Sequence, residues 1–544
     1  MPGLSDAFEA IGEAIEHTLP SGHAPGMALA VTDDRETLGA AVRGFAEVAR
    51  GVPVKPDTRF QIGSISKSFV ALVALQEEAE GNLSLDASIN DLLPWLELPE
   101  PFGPITLHHL LTHTGGLMIG AEHGPWGMAD ALRLREQPPT FAPGERFWYS
   151  NAGYKLVGHA LERITGRPIH DLLTERVLGP LAMASSEGAI TEAARMTSAV
   201  GYEPVFSDRP AHLETPLAPA VWQSSNAADG SIISTVADMC EYARLVLNGG
   251  RGPHGGLLSP EAFERWVGPH VDSDEPNHGY GYGWGTSQIA GRRTVWHTGG
   301  TIGFTALVAV WPEEGLGVAA MANGSVEKRA TGWFALEAVA AALKGEPLPT
   351  FEHPPAPDLV ADAEALAGRY SSGARTWELE AESGGLVLRT GPLAVRLHQV
   401  SPGSLIAPHP ALDRYPIRPV KEEGEQVIGV TYGPGWFGRE GAEPVLAADL
   451  PAGWEAFPGL YRSDNPWSSA LSVYARLGRL YLTWPADPEE ELELTPGSDG
   501  WLIAGEAWSP RRARFSDVVD GLAQTLEFNG QVLTRSFEGL SPRA

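Results

Sequence analysis

Two rhythms of apolar positions alternate along the first 345 residues. PGMALAVTDDRETLGAAVRGFAE, from Pro25 to Glu47, predicts two short strands around a polar turn. SKSFVALVALQEEAEG predicts a helix that is apolar nearly all round and ends at Gly81, and ITLHHLLTHTGG a shorter one closed by Gly115 and Gly116. In ADMCEYARLVLNGG the apolar positions Val236, Met239, Cys240, Ala243 and Leu247 follow helical spacing, which puts Cys240 on a buried stripe as a structural thiol. RTVWHTGG, GFTALVAVWP and LGVAAMANG predict consecutive strands of an antiparallel sheet, with the first strand ending at His297. A last helix, TGWFALEAVAAALKG, closes the region. Helices and strands joined by short Gly/Pro turns imply an α/β or α+β domain over residues 1–345.

The texture then changes. GEPLPTFEHPPAPDLV is Pro-rich and aperiodic, so residues 346–364 are expected to be a linker. Beyond it come short alternating strands with frequent turns, the pattern of small sandwiches or barrels. Leu366-Ala-Gly-Arg-Tyr370 and Phe457-Pro-Gly-Leu-Tyr461 open two similar stretches, separated by GAEPVLAADLPAG. Two small antiparallel β-barrel domains are expected, over 365–445 and 455–544. In LSVYARLGRLYLTW, the alternation of Leu471, Val473, Ala475 and Leu477 predicts one face buried inside its own barrel.

Composition narrows the function classes. The chain has 544 residues, enough for two or three domains, with 43% apolar and 20% charged residues, a globular profile. Lys and Arg number 39 against 68 Asp and Glu, a net charge of −29. A surface that acidic repels phosphate backbones and anionic lipid, so neither nucleic acid nor membrane is expected as a partner. The single cysteine cannot form an internal disulfide, and no Cys/His cluster suits a metal. His109 and His113 lie four apart but have no third ligand nearby, so no metal or other cofactor is expected. No apolar run is long enough to span a membrane, and the acidic, amphipathic start lacks the features of a secretion signal; a cytoplasmic location is expected. Only six residues are lysines, so a lysine in apolar sequence needs a reason.

One such lysine is Lys67. Ser64 and Lys67 stand three apart at a helix start, which puts both side chains on one face beside free backbone N–H groups. An apolar setting penalises the charged amine and frees it to accept the serine proton. The same spacing recurs at Ser325 and Lys328, but charged Glu327 and Arg329 surround it, so Ser325 is expected to cap an exposed helix. Tyr149-Ser-Asn151 precedes another helix. Ser150 or Asn151 would cap that helix, while Tyr149 offers a phenol to shuttle a proton and Asn151 an amide to hold a substrate carbonyl. His-Thr-Gly-Gly occurs twice. At His113 it ends a helix and a structural role is expected. At His297 it leads from strand to strand, and Gly299 and Gly300 let a substrate backbone approach, with the Gly300 N–H able to complete an oxyanion hole. No Gly-x-Ser-x-Gly elbow, His-Glu-x-x-His or phosphate-binding loop is present.

Ser-x-x-Lys, Tyr-x-Asn and His-Thr-Gly, in that order, resemble the three-part signature of penicillin-recognising serine enzymes. The branch resembled holds class C β-lactamases, D-alanyl-D-alanine carboxypeptidases, D-aminopeptidases and related esterases. ITLHHLLTHTGGL, ADGSIISTVADMCEYARLVLNGG and GYGYGWG extend the resemblance over residues 10–345. It implies an antiparallel sheet flanked by helices, with a helical subdomain and the site between them. The two tail units look most like D-aminopeptidase-type members. By resemblance, Ser64 is the acylating nucleophile, Lys67 its proton acceptor and Tyr149 the general base and acid. Asn151 would hold the substrate amide, His297 the far side of the pocket, and the N–H groups of Ser64 and Gly300 the oxyanion. Class C enzymes usually carry lysine where this chain has His297, and a mostly neutral histidine makes turnover of carboxylate-bearing β-lactams less favourable. Three readings stand: a serine amidase or esterase on small substrates such as D-amino-acid amides or peptides; a β-lactamase or carboxypeptidase; and a vestigial binding scaffold. The partner expected is a small-molecule amide or ester, and a homo-oligomer is left open.

Overall fold

The computed structural model describes all residues except 1, 121–126, 354, 423–425, 488, 499 and 537–544. The chain divides into two compact units, one of residues 1–203 and 217–353, the other of residues 204–216 and 354–544.

The first unit is built on a nine-stranded antiparallel sheet. Its strands are β1 (Gly26–Thr32), β2 (Thr37–Glu47), β3 (Val52–Pro53), β4 (Val271–Asp272), β5 (Gly279–Tyr280), β6 (Gly285–Ile289), β7 (Arg292–Thr301), β8 (Phe304–Trp311) and β9 (Leu316–Ala322), in the order β4-β5-β6-β7-β8-β9-β1-β2-β3. Every residue of β1 and β9 is buried, which explains their continuous apolar runs. Alternate side chains feed opposite cores. Ala28, Ala30, Val308, Val310 and Met321 join one, and Met27, Leu29, Val31, Leu307, Ala309 and Val318 the other. The second core is covered by helices α1 (Leu4–Ser21) and α5 (Lys328–Lys344), through residues such as Ile11, Ile15, Phe334 and Val339. The first is covered by α2 (Ser66–Ala79), α3 (Asn151–Thr165) and α4 (Val236–Leu247). Helix α2 is buried from Ser66 to Leu75, and so is Glu77, whose carboxylate is held by Arg176 at 2.6 Å and Asn82 at 2.7 Å. A helix apolar all round is a central helix, as its sequence implies. Cys240 on α4 is fully buried, and burial pushes its thiol up to about 12.

Three local expectations change. His297 sits within β7 and does not end it, because Gly299 and Gly300 stay extended and pair with Ala306 and Thr305. The helix before His113 ends at Leu111, and His113 itself takes the left-handed conformation, φ 58°. The cap of α5 is Glu327, whose carboxylate accepts the N–H groups of Arg329 and Ala330, and not Ser325.

The second unit holds two β modules. Nine antiparallel strands between Gly368 and Arg439 form one sheet whose two edge strands, Leu393–Arg396 and His398–Ser401, are separated by a single residue, so the sheet must curl back on itself. Eight strands between Gly459 and Arg535 form a closed barrel. Leu471 and Val473 enter its core and Ala475 packs at the margin. Leu477 does not follow them: with φ 52° it forms the hairpin turn with Gly478, and the core resumes at Leu480 and Leu482. Segment 204–216 bonds to both modules, Arg209 to Asp413 at 3.1 Å and Ser207 to Arg462 at 3.1 Å.

Candidate active site

Ser64 lies on a tight turn, Gly63–Ile65, that runs directly into α2. Gly63 has φ 52°, and a Cβ there would stand 2.5 Å from the Gly300 carbonyl oxygen and 2.6 Å from its nitrogen. A Cβ on Gly299 would lie 1.8 Å from the Ile62 carbonyl oxygen. Glycine is therefore required at both positions for the turn to press against β7. The outcome is that Ser64 and Gly300 line the same cleft.

Lys67, one turn into α2, is fully buried. Its Nζ is 2.9 Å from Ser64 Oγ and donates to the Asp229 carbonyl at 2.7 Å. It stands 5.0 Å from the centre of the Tyr149 ring and 5.7 Å from that of Tyr154. The amine is thus fixed between serine, carbonyl oxygen and two phenol rings, with no room to swing into water.

Tyr149 is held at the start of α3. Ser150 is the helix cap, its Oγ accepting the Gly153 N–H at 3.1 Å and donating to the Met118 carbonyl at 2.6 Å. The two sequence readings of this motif are compatible, since Ser150 caps while Tyr149 lines the cleft. Asn151 is the first residue of α3 and is not among the cleft's lining residues; its Oδ1 is buried with no hydrogen-bond partner among the described residues.

His297 reaches the cleft from β7. Its Nδ1 is 2.6 Å from the Thr298 carbonyl, which can only accept, so Nδ1 carries the proton. The remaining nitrogen, Nε2, takes the Tyr280 hydroxyl at 3.0 Å. Burial, aided by the nearby Lys67 cation, holds His297 down to about 3, so the ring is neutral near pH 7. The cleft encloses about 320 Å³, and its wall includes Asp274, Glu275, His278 and Trp296 but, among the described residues, no lysine or arginine. Glu275 lies 3.8 Å from Arg329, and burial raises the Asp274 carboxyl above its ordinary value.

The structure therefore brings together Ser64, Lys67, Tyr149, His297 and Gly300, and leaves Asn151 off the cleft wall. It also adds groups that motif reading passed over. Tyr280 lies in GYGYGWG, noted only as a matching stretch. Lys155 makes a buried pair with Asp130 at 2.6 Å and lies 3.9 Å from Asp229, whose carbonyl holds Lys67. The scarcity of lysine is the signal that singles it out.

A model of the family described as Beta-lactamase matches residues 6–342. The chain belongs to the β-lactamase family. It is a β-lactamase-like serine hydrolase. Among curated relatives, penicillin-binding protein 4 of Amycolatopsis lactamdurans is 29% identical over 367 residues, covering 64% of this chain and 93% of that protein. The D-aminopeptidase of Gluconobacter oxydans is 28% identical over 334 residues, 59% of this chain and 60% of that protein, so the match spans less than two thirds of the aminopeptidase. A solved octameric penicillin-binding protein homologue from Pyrococcus abyssi shares the fold, with TM-score 0.57 and 24% identity over 87% of this chain and 97% of that one. Among the described residues, no helix of this β-lactamase-family chain is long and apolar enough to cross a membrane.

Proposed function

We propose that this chain hydrolyses amide bonds of small amine-bearing substrates, D-amino-acid amides or short D-peptides, through an acyl-enzyme on Ser64. The observation that carries the reading is the buried Lys67 amine 2.9 Å from Ser64 Oγ. In the neutral form that amine takes the serine proton as Oγ attacks the substrate carbonyl. The N–H groups of Ser64 and Gly300 receive the developing oxyanion, and Tyr149 protonates the departing amine. In the second half of the cycle the same phenol, deprotonated, activates water against the acyl-enzyme. Asn151 is not among the residues lining the cleft, so no substrate contact is assigned to it.

The wall of the cleft argues for the substrate class. A neutral His297 offers no fixed cation to a carboxylate, and Asp274 and Glu275 supply negative charge where an ammonium group gains from it. This favours an amine-bearing substrate over a carboxylate-bearing β-lactam. The D-aminopeptidase named among the relatives agrees with that choice.

The test is labelling with a fluorophosphonate followed by a peptide map, with parallel assays on D-alanine p-nitroanilide, its N-acetyl derivative and a chromogenic cephalosporin. Label on Ser64 and preference for the free amine over both others are expected. Faster turnover of the cephalosporin would overturn the substrate class, and label on any other serine the mechanism.

A further inference from the structure

We propose that His113 is a positioning residue that fixes the Tyr149 phenol for proton transfer beside Ser64 and Lys67; this rests on the reading of Tyr149 as proton carrier. His113 is read from sequence as a helix-ending residue. Its geometry does more than end a helix. Its carbonyl accepts the Trp148 N–H at 2.8 Å, and its Nδ1 accepts the Ser150 N–H at 3.0 Å. The backbone N–H groups of the two residues flanking Tyr149, Trp148 and Ser150, therefore both hang on one residue. The ring also packs against the phenol, with centres 4.2 Å apart. Further along, the Ile119 carbonyl takes the Ala152 N–H at 3.0 Å, so the segment after His113 continues the cradle.

Two features of His113 are unfavourable for a residue that merely stops a helix. Its φ of 58° lies in the left-handed region, which a glycine would adopt without strain. Because Nδ1 accepts an amide N–H, the neutral ring carries its proton on Nε2, and that atom is buried with no hydrogen-bond partner among the described residues. Burial, with the nearby Lys67 charge adding to it, keeps the ring neutral. A strained backbone and an orphaned donor at one residue are costs that the surrounding fold must hold in place, and such costs gather at functional positions. Here they allow a single side chain to supply both an acceptor for Ser150 and a flat face for Tyr149.

The experiment compares His113→Asn, which keeps a side-chain acceptor and tolerates the left-handed backbone, with His113→Gly, which keeps the backbone but loses ring and acceptor. Two substrates are read: D-alanine p-nitroanilide, whose amine must be protonated to leave, and a p-nitrophenyl ester, whose phenolate leaves unaided. His113→Gly should lower kcat on the anilide by about 10- to 100-fold, the scale of a misplaced proton carrier, with KM held within roughly threefold. Ester turnover and fluorophosphonate labelling of Ser64 should fall far less, and His113→Asn should restore most of the anilide activity. In a Tyr149→Phe background His113→Gly should add little, because the two act as one unit. If circular dichroism finds His113→Gly unfolded, His113→Ala carries the same comparison. Equal loss on anilide and ester, no rescue by asparagine, or additivity with Tyr149→Phe would each overturn the proposal. Full anilide activity in Tyr149→Phe itself would instead remove the reading of Tyr149 on which it rests.

Discussion

Ser64 with Lys67 and Ser325 with Lys328 share one spacing and have opposite surroundings. The first pair opens a helix buried on every side, and its lysine is clasped between Ser64 Oγ and the Asp229 carbonyl. The second opens a helix on the surface: Ser325 is exposed, and its carbonyl is used by the His23 N–H at 2.7 Å. Burial lowers the Lys328 amine below its ordinary value, yet that pair does not line the cleft, so a shifted amine alone does not make a site. What separates the two pairs is the cleft, the second lysine contact and the glycine-permitted approach of β7. A motif of two residues carries chemistry only where distant parts of the chain supply the rest.

The sharpest way to break this comparison is to delete each serine. Ser64→Ala should abolish acyl-enzyme labelling and lower turnover by at least about 10⁴-fold, the scale of losing a covalent nucleophile. Ser325→Ala should leave both unchanged. Label on Ser325 would invert the assignment. Next come the lysines: Lys67→Ala should cost about 10²- to 10⁴-fold in kcat, the usual worth of a positioned proton acceptor. Lys67→Arg should not restore it, since guanidinium does not give up its proton. Lys328→Ala should leave kcat unaltered, read by the same steady-state assay.

The two His-Thr-Gly-Gly stretches sharpen the point, since one is bent by a left-handed histidine and the other stays in a strand, yet both rings are held neutral by burial. Placing a fixed charge at one of them, His297→Lys, should raise turnover of a carboxylate-bearing cephalosporin relative to a neutral ester by about 10- to 100-fold, the worth of one charged hydrogen bond. An unchanged ratio would mean that His297 does not face the substrate. The neutral rings also set an acid limit. His297 is held to about 3 from an ordinary 6.5, and His113 well below it, both rings fully buried. Below pH 6.5 the unfolded chain binds protons that the native rings refuse, so stability falls as pH drops from 6.5 towards 4. The slope is about 1.4 kcal/mol per pH unit for each such histidine. Urea midpoints at pH 7 and pH 5 measure it, and His297→Gln should flatten the profile by one histidine's share.

Much of this was legible where a local pattern decides the structure. The all-apolar helix, the run of central strands and the Ser64–Lys67 face follow from spacing alone, as does the position of Tyr149 just before the cap Ser150. The rest depends on partners far away in sequence. Tyr280 meets His297 across 17 positions, Lys155 meets Asp130 across 25, and Lys67 meets the Asp229 carbonyl across 162. No periodicity encodes such pairs. Leu477 shows the opposite failure, where a correct alternation runs one residue too far, into a turn fixed by backbone geometry.

The smallest effect tests the second pair on its own terms. Ser325 is the cap that the sequence predicts for α5, and serine is the more usual cap residue. The structure gives the role to Glu327, whose Oε1 lies 2.9 Å from the Arg329 N–H and 3.3 Å from that of Ala330. These are two of the four amide donors that a helix start leaves without intrahelical partners, and a carboxylate there also gains from the helix dipole. Glu327→Ala should therefore cost about 1 kcal/mol, whereas Ser325→Ala, an exposed side chain away from such features, should stay within about 0.5 kcal/mol. Urea unfolding of the two variants decides between them. A larger loss at Ser325 would return the cap to serine and set the second pair further from the first, whose Ser64 caps nothing: helix α2 has no side-chain cap.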